Sequence, residues 1–293
     1  MLNYLELDTF LKIVLKEDVG TGDITTNACV PEDAVSEGTF TAKEPGVISG
    51  LIVAKRVFEI LDENVNMTLL VSDGDSVKPG DKLATISGTS RAILTGERTA
   101  LNLLQHMSGI ATKTAEAVSK ISGTKAKILD TRKTAPGLRT FEKYAVRCGG
   151  GTNHRFNLSD GVLIKDNHIK AAGGIANAVE QVRQAQQEKQ VKIKISNDSL
   201  SPPPIMLIEV ETETLEQVKE ALDAGADIIM LDNMPPETMA EAVKLVDGRA
   251  LTEASGNMGD RDLKTIAETG VDFISIGALT HSVKALDISL KFD

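Results

Sequence analysis

The sequence has few aromatic residues, few cysteines and no long apolar run, and each absence excludes a class of protein. Aromatic residues make up 3% of the 293 residues, with no Trp, which argues against an aromatic platform for single-stranded nucleic acid. Cys29 and Cys148 are too few and too far apart to indicate a disulfide framework or a metal knuckle. No apolar run reaches the roughly 18 residues that a membrane span requires. We therefore expect neither nucleic-acid nor membrane partners.

Basic residues are also outnumbered. The chain has 42 Asp and Glu against 32 Lys and Arg, a net charge of −10, which opposes binding to nucleic acid or to an anionic membrane surface. Residues 1–20 are mixed in charge and amphipathic and do not resemble a secretory signal. These features predict a cytoplasmic location.

Two kinds of pattern follow one another along the chain. Residues 3–17 have helical spacing, and residues 36–95 contain short β-prone runs around one helical run at 51–61, which predicts an α+β module with a mainly antiparallel sheet. A long helical pattern begins at Glu97. Residues 184–205, which include three consecutive prolines, are predicted to form a long exposed loop.

Beyond the long helix, strand-like and helical segments alternate. The candidate strands are AKILDT, GVLIKD, IMLIEVE, DIIMLD, ALTEAS and DFISIG. Such alternation is typical of a parallel sheet covered by helices, as in a barrel.

Nearly every candidate strand ends on a charged residue or on a small one that can present backbone N–H groups. In (β/α) barrels the carboxyl ends of the strands face the active site, so we expect these residues to line a pocket. The residues are Thr131, Arg132, Lys133, Lys165, Asp166, Glu209, Glu211, Asp232, Ser255, Gly256 and Gly277.

Basic residues concentrate in one segment. Residues 131–170 carry eight Lys and Arg against three Asp and Glu, a local net charge of +5 in an acidic chain. A basic surface helix would account for Lys143 and Arg147, but not for Arg132 and Lys165, which follow apolar strands. The segment therefore predicts a binding site for a small polyanion.

Acidic residues follow the next strands. Glu209 and Glu211 are two residues apart and so point to one side of their strand, and Asp232 ends the following strand. Converging carboxylates suit a hydrated Mg²⁺ or the hydroxyls of a sugar. No His or Cys stands at ligand spacing to them, so a tetrahedral zinc site is not expected.

Small residues follow the last two strands. EASGN (253–257) and SIGA (275–278) are each expected to precede a short helix whose N-terminus holds a phosphate.

The stretch CGGGTNHRFN (148–157) could be a phosphate loop or the end of a helix. We favour the second, with Gly149 as the C-cap of the helix FEKYAVRC and the following turn aiming His154 and Arg155 into the pocket.

Several motifs together resemble the quinolinate phosphoribosyltransferase family over residues 17–282. They are EDVGTGDITT, GERTALN, TRKTAPGLR, EKYAVRCGGGTNHRFNLSDGVLIKDNHI, GADIIMLDN, EASGN and ISIGALTHS. The resemblance implies transfer of phosphoribose from phosphoribosyl pyrophosphate (PRPP) to quinolinate with decarboxylation, in de novo NAD synthesis, with Mg²⁺ as cofactor.

The fold that the resemblance implies is an N-terminal α/β open-faced sandwich plus an incomplete, seven-stranded TIM-like α/β barrel. We expect the sandwich over 1–105, joined by 280–293, and the barrel over 106–279. The family also implies a homodimer with shared active sites, possibly assembled into a hexamer.

The resemblance assigns substrate contacts to individual residues. The quinolinate carboxylates would contact Arg132, His154, Arg155 and Lys165, and Arg98 would come from the partner subunit. Lys133, Glu211 and Asp232 would be catalytic, and the two acids would hold Mg²⁺ through water; the register of ETLEQ favours Glu211 over Glu209. PRPP would be bound by Thr131, Lys133, Glu211, Asp232, Ser255, Gly256, Asn257, Gly277 and Ala278.

Some alternatives stay open. His154 could donate to a substrate carboxylate or serve only the structure, and we expect His106 and His168 to be structural. A related transferase acting on another aromatic acid such as nicotinate, or a non-catalytic phosphate-sensing barrel, would share many of these features.

Overall fold

A computed structural model describes residues 4–195 and 206–292. Its first elements, in chain order, are α1 Tyr4–Val19, α2 Ile24–Cys29, β1 Val35–Ala42, β2 Gly46–Val47, α3 Leu51–Leu61, β3 Asn66–Leu69, β4 Ser76–Val77, β5 Lys82–Thr89 and α4 Ser90–Lys120. They are followed by β6 Lys127–Leu129, α5 Arg139–Cys148, β7 Val162–Ile164, α6 Asp166–Ala172, α7 Ile175–Ile195, β8 Ile208–Thr212, α8 Leu215–Asp223, β9 Ile228–Asp232, α9 Pro236–Val246, β10 Leu251–Ser255, α10 Leu263–Glu268, β11 Phe273–Ser275, α11 Ala278–His281 and β12 Ile288–Phe292.

The chain divides into two compact units. The first comprises Met1–Val118, Lys133–Gly151 and Leu279–Asp293, and the second comprises Ser119–Arg132 and Thr152–Ala278. Within the described residues, no helix combines the length and the apolar character that a membrane span needs.

The first unit is built on an antiparallel sheet, as the short β-prone runs predicted. Its strand order is β12-β1-β5-β3, so the C-terminal strand completes a sheet that starts near the N-terminus. Phe40 of β1 and Phe58 of α3 are fully buried with ring centroids 6.1 Å apart, which joins the helix to the sheet. The long helix begins at Ser90, earlier than the Glu97 predicted, because Ser90 directly follows β5 and no breaker separates them.

The second unit is built on a parallel sheet of six strands in the order β6-β11-β10-β9-β8-β7. These are the six strands predicted from the sequence. An isolated parallel bridge, Leu129 to Thr152, lies beside β6. Helices separate the consecutive strands from β7 to β11, which is the βα alternation of a barrel-like domain.

The prediction of an exposed loop over 184–205 is wrong in its first part. Helix α7 continues to Ile195, because QAQQEKQVKIKI contains no Gly or Pro and is rich in Gln, Glu and Lys, which favour helix. The remainder, 196–205, lies outside the described residues.

The three glycines end α5 as predicted. Gly149 is the C-cap, and the left-handed residue is Gly150 with φ 83°. The N–H of Gly151 donates to the carbonyl of Val146, and that of Gly150 donates to Arg147, the two bonds of a Schellman motif.

The surface-helix interpretation of Lys143 is wrong. Its side chain is buried, with 3% exposure, and its neighbour Glu142 is fully buried. Glu142 accepts from His106 at 2.9 Å and from the backbone N–H of Ala135 at 3.2 Å. The structural role expected for His106 fits this contact.

Asp73 stabilises the start of α3. Its Oδ1 accepts from the backbone N–H groups of Gly50 and Leu51, both at 3.0 Å, and its Oδ2 accepts from Tyr144 Oη at 2.9 Å. Burial, and then the charge of Asp73, raise the pKa of Tyr144, so the phenol keeps its proton and remains the donor.

We expect Asp73→Ala to lower the free energy of unfolding by about 1–3 kcal/mol, because it removes the cap of α3 together with the tyrosine's acceptor. Tyr144→Phe should lower it by only about 0.5–1.5 kcal/mol, because the cap survives. Urea unfolding of both variants measures the difference. Equal losses would show that the cap contributes nothing.

Candidate active site

The acidic residues of the second unit share one face of its sheet. Registered partners on parallel strands point to the same side, and Glu211 pairs with Met230, Met230 with Glu253, and Asp232 with Ser255. Residues two apart on a strand also share a side, so Glu209 belongs to this face. We call it the acidic face; its members are Glu209, Glu211, Asp232, Glu253 and Ser255.

Lys165 lies beside Glu211. Leu163 of β7 pairs with Glu209 of β8. Lys165 and Glu211, each two positions further along the chain, therefore come together. The Lys165 Nζ to Glu211 Oε2 distance is 2.6 Å, with the Lys165 side chain 47% exposed and that of Glu211 13% exposed. The residue expected to bind the aromatic acid therefore contacts a residue expected to bind the ribose.

Asp232 is held by its neighbour Asn233. The Asn233 Nδ2 donates to Asp232 Oδ2 at 2.7 Å, and the Asn233 backbone N–H donates to the carbonyl of Ser255 at 3.0 Å. Asn233 adopts a left-handed conformation, with φ 55°, that places its amide against Gly256. A Cβ on Gly256 would collide with that amide, so only glycine fits there.

The small residues after β10 and β11 come together. Gly256 and Asn257 both have positive φ, at 97° and 51°, and a Cβ on Gly259 would lie 2.7 Å from that of Ala278. The expectation of a helix directly after EASGN is wrong, because α10 begins only at Leu263, after its N-cap Asp262. The N–H groups of Gly256 and Asn257 therefore belong to a loop that follows β10, whereas α11 does begin directly after Gly277.

His154 lies against two buried glutamates of the acidic face. Its Nε2 is 3.0 Å from Glu209 Oε2 and 3.6 Å from Glu253 Oε2, with the three side chains 13%, 5% and 2% exposed. The ligand atoms of the three residues lie within 4.8 Å of one another, close enough for a metal ion. The loop after Thr152 brings His154 to β8 and β10, a meeting that ligand spacing along the sequence did not predict.

Burial, and then the charge of Glu209, raise the pKa of Glu253 to about 8. Sequence reasoning missed Glu253. The feature that could have revealed it is that Glu253 is the one charged residue of the candidate strand ALTEAS, two residues before Ser255.

Asp130 holds the loop that carries His154. It is fully buried at the end of β6, accepts from the backbone N–H of His154 at 2.8 Å and accepts from the side-chain amide of Asn153. Sequence reasoning also missed this residue, although it is a charge directly after an apolar strand.

Two arginines meet close to this cluster. Burial, and then the charge of Arg132, lower the pKa of Arg155, while Glu209 opposes the shift. Arg155 donates from Nη1 to the carbonyl of Gly161 at 2.9 Å. Within the described residues, the Nε of Arg132 is a buried donor without an acceptor. Two guanidiniums that repel each other, one with an unmet donor, suit an incoming anion.

The other predicted residues lie elsewhere or serve the structure. Arg98 on α4 and Lys133 after β6 belong to the first unit, and both are exposed. His168 Nδ1 accepts from the backbone N–H of Lys165 at 3.0 Å, which caps α6 and fits a structural role. Thr131, the remaining predicted contact, follows β6 in the second unit.

We expect Glu253→Gln to change how stability depends on pH. Because folding raises this pKa from 4.5 to about 8, the folded state keeps a proton that the unfolded chain releases, so the wild type loses stability as pH rises through this window. Glutamine has no such proton, so the loss should shrink. Urea unfolding between about pH 5 and about pH 8 measures it.

The matched control is Glu268→Gln, at a glutamate whose side chain is 58% exposed. Identical pH slopes in Glu253→Gln and this control would contradict the raised pKa.

Comparisons with known proteins cover the whole chain. The family model described as quinolinate phosphoribosyl transferase, C-terminal domain, matches residues 110–205 and 199–291, and the corresponding N-terminal domain matches residues 23–108.

Among curated relatives, the probable nicotinate-nucleotide pyrophosphorylase [carboxylating] of Bacillus subtilis is 46% identical over 99% of this chain and 94% of its own. The chloroplastic enzyme of that name from Arabidopsis thaliana is also 46% identical, over 98% of this chain and 83% of its own.

Among solved structures, NadC from Streptococcus pyogenes superposes with a TM-score of 0.87 at 43% identity, over 100% of this chain and 99% of that one. The nicotinate-nucleotide pyrophosphorylase of Francisella tularensis gives 0.87 at 40% identity, over 100% and 98%.

Proposed function

Because the chain belongs to the quinolinate phosphoribosyltransferase family, we infer that it is a carboxylating nicotinate-nucleotide pyrophosphorylase. It transfers a phosphoribosyl group from PRPP to the ring nitrogen of quinolinate and yields nicotinate mononucleotide, CO₂ and pyrophosphate. This reaction is a step of de novo NAD synthesis.

The observation that supports this assignment best is the arginine pair. Burial, and then the positive charge of Arg132, lower the pKa of Arg155, and the Nε of Arg132 has no acceptor among the described residues. A planar guanidinium binds a carboxylate through two parallel hydrogen bonds, and quinolinate offers two adjacent carboxylates. Lys165 adds a compact positive charge at the end of β7.

Catalysis then rests on positioning and electrostatics. The cationic residues orient quinolinate so that its ring nitrogen faces C1′ of the ribose, which replaces a bimolecular encounter with a fixed approach. As the C1′–O bond to pyrophosphate breaks, positive charge develops at C1′, and the carboxylates of Glu211 and Asp232 stabilise it. The ion pair between Lys165 and Glu211 holds the two substrate sites in register.

Decarboxylation needs no further protein group. Once the ribose is attached, the ring nitrogen is positively charged. When the bond from C2 to its carboxylate breaks, CO₂ leaves and the electron pair stays at C2, where the adjacent charge stabilises it until a proton replaces the carboxylate.

The acidic face also suits Mg²⁺. Glu211 and Asp232 offer hard oxygen ligands from neighbouring strands, which are the ligands that Mg²⁺ prefers while it keeps several waters. We propose that these two residues hold it through water. Bound Mg²⁺ would neutralise part of the negative charge of the pyrophosphate.

We also propose that the 5′-phosphate of PRPP binds the backbone of Ser255, Gly256, Asn257, Gly277 and Ala278. The contact between Gly259 and Ala278 supports this, because it brings the two loops together. Thr131 and Lys133 are proposed as further PRPP contacts. A cytoplasmic location stays a prediction.

The direct test is an assay of the purified chain with quinolinate, PRPP and Mg²⁺, following both CO₂ and pyrophosphate. We expect both products in equal amounts. Pyrophosphate release with nicotinate in place of quinolinate would indicate a transferase for a monocarboxylate. Absence of both products with either acid would indicate a binding protein.

We expect Arg132→Ala to lower kcat/KM for quinolinate by the equivalent of about 2–5 kcal/mol, because it leaves a substrate carboxylate unpaired in a buried site. Lys170→Ala is the matched control, since this exposed lysine lies on the same basic segment. Circular dichroism should show an unchanged fold in both variants. Equal kcat/KM values in the two variants would exclude a substrate contact for Arg132.

A homodimer with Arg98 supplied to the partner's site is a further proposal, which the exposure of Arg98 supports. It is tested by mixing Arg98→Ala with Arg155→Ala after unfolding and refolding together. Each variant should be inactive, and the mixture should regain about a quarter of the wild-type activity, because half of the random dimers contain one intact site. A mixture as inactive as its parts would show that Arg98 acts in its own subunit.

A further inference from the structure

The cluster of His154, Glu209 and Glu253 takes no part in the reaction as derived above. Its two carboxylates are almost completely buried, and one oxygen of each has no hydrogen-bond partner within the described residues. Burying two acids side by side is costly, so the arrangement calls for a role.

The hydrogen bonds of the imidazole fix the position of its proton. The backbone N–H of Arg155 donates to His154 Nδ1 at 2.7 Å. A backbone N–H can only donate, so Nδ1 carries no proton and the neutral ring has its proton on Nε2. Nε2, which carries that proton, is 3.0 Å from Glu209 Oε2 and 3.6 Å from Glu253 Oε2.

This tautomer excludes a metal ion as the partner of the cluster. An imidazole coordinates a metal through its unprotonated nitrogen, and here the nitrogen that faces both carboxylates is the protonated one. The compact geometry of the three side chains is therefore that of a hydrogen-bonded group.

The tautomer also links the glutamates to Arg155. When the carboxylates accept the hydrogen bond from Nε2–H, Nδ1 has no proton and accepts the hydrogen bond from the backbone N–H of Arg155. This hydrogen bond fixes the backbone of Arg155. The guanidinium is fixed at its other end by the carbonyl of Gly161, and a Cβ on Gly161 would lie only 3.3 Å from the Arg155 Cβ. Asp130 holds the backbone N–H of His154 itself.

We propose that Glu209 and Glu253 are positioning residues that act through the His154 tautomer to hold Arg155 for the substrate carboxylate. His154 then supports Arg155 and does not itself donate to the substrate. The identity of that substrate rests on the proposed function. The raised pKa of Glu253 fits this role, because a protonated carboxyl beside Glu209 limits the buried charge.

The first test compares two isosteric replacements of His154. Asparagine places its amide oxygen at the position of Nδ1, where it can accept the hydrogen bond from the backbone N–H of Arg155. Glutamine instead places its amide at the position of Nε2. We expect the quinolinate KM of His154→Gln to exceed that of His154→Asn by about tenfold, the equivalent of one hydrogen bond. The KM for PRPP should be the same in both, and the exposed His281→Asn should match the wild type. A lower quinolinate KM in His154→Gln would indicate direct donation from Nε2 and overturn the proposal.

The second test separates the shape of Glu253 from its charge. Glu253→Leu should raise the quinolinate KM by about tenfold with the PRPP KM unchanged. Glu253→Gln should restore much of this loss, because the amide reproduces a protonated carboxyl. Equal increases in both KM values, or no rescue by glutamine, would assign Glu253 to general folding only and contradict the proposal.

A third measurement does not depend on activity. In protein labelled with ¹⁵N-histidine, NMR correlation of the ring nitrogens with the ring protons reports each tautomer, and His154→Asn assigns the signal. We expect protonated Nε2 and bare Nδ1 at neutral pH. Protonation at Nδ1, or loss of the signal on adding Zn²⁺, would overturn the proposal even in an active enzyme. If the enzyme released no CO₂ from quinolinate, the proposed function would fail while this spectrum still decided the cluster.

Discussion

The repulsion between Arg132 and Arg155 is the interaction on which the rest of the site depends. Burial lowers the pKa of Arg155, and the positive charge of Arg132 lowers it further, so positive charge is held at a cost beside the parallel sheet. The charge of Glu209 opposes the lowering of the Arg155 pKa, but the Nε of Arg132 still has no acceptor among the described residues. Positive charge at this place is therefore not fully compensated by the protein, and an anion with two carboxylates would compensate it.

The acidic face supplies the opposite charge at a short distance. Because the register of β8, β9 and β10 places Glu209, Glu211 and Asp232 on one side, negative charge gathers on this face, and Glu209 only partly opposes the lowered pKa of Arg155. Lys165 and Glu211 form the boundary between the two regions. A substrate acid and a ribose that develops positive charge can then occupy neighbouring sites of opposite polarity.

Much of the fold could be predicted from local patterns. The six parallel strands, the antiparallel module and the helix end at the glycine run each depend on neighbouring residues, so periodicity and turn chemistry reveal them. The extent of α7 was missed because three prolines downstream made the whole segment look like a loop, although its first half favours helix.

The site was predictable only in part, for a physical reason. Residues at strand ends, such as Arg132, Lys165 and Asp232, can be recognised in the sequence because a charged residue follows an apolar run. Partners that meet across the sheet cannot be recognised in this way. His154 is 55 residues from Glu209 and 99 from Glu253 by their numbers in the chain, and the three meet because the strand register aligns the glutamates and the loop after Thr152 brings the histidine to them. The tautomer of His154 depends on a backbone contact that no sequence pattern encodes.

The most direct measurement of the central claim is equilibrium binding of quinolinate and of nicotinate to the unmodified protein, by calorimetry. If the arginine pair is built for two adjacent carboxylates, quinolinate should bind about 10- to 100-fold more tightly, the value of one charge-assisted hydrogen-bonded group. Equal affinities for the two acids would contradict the account.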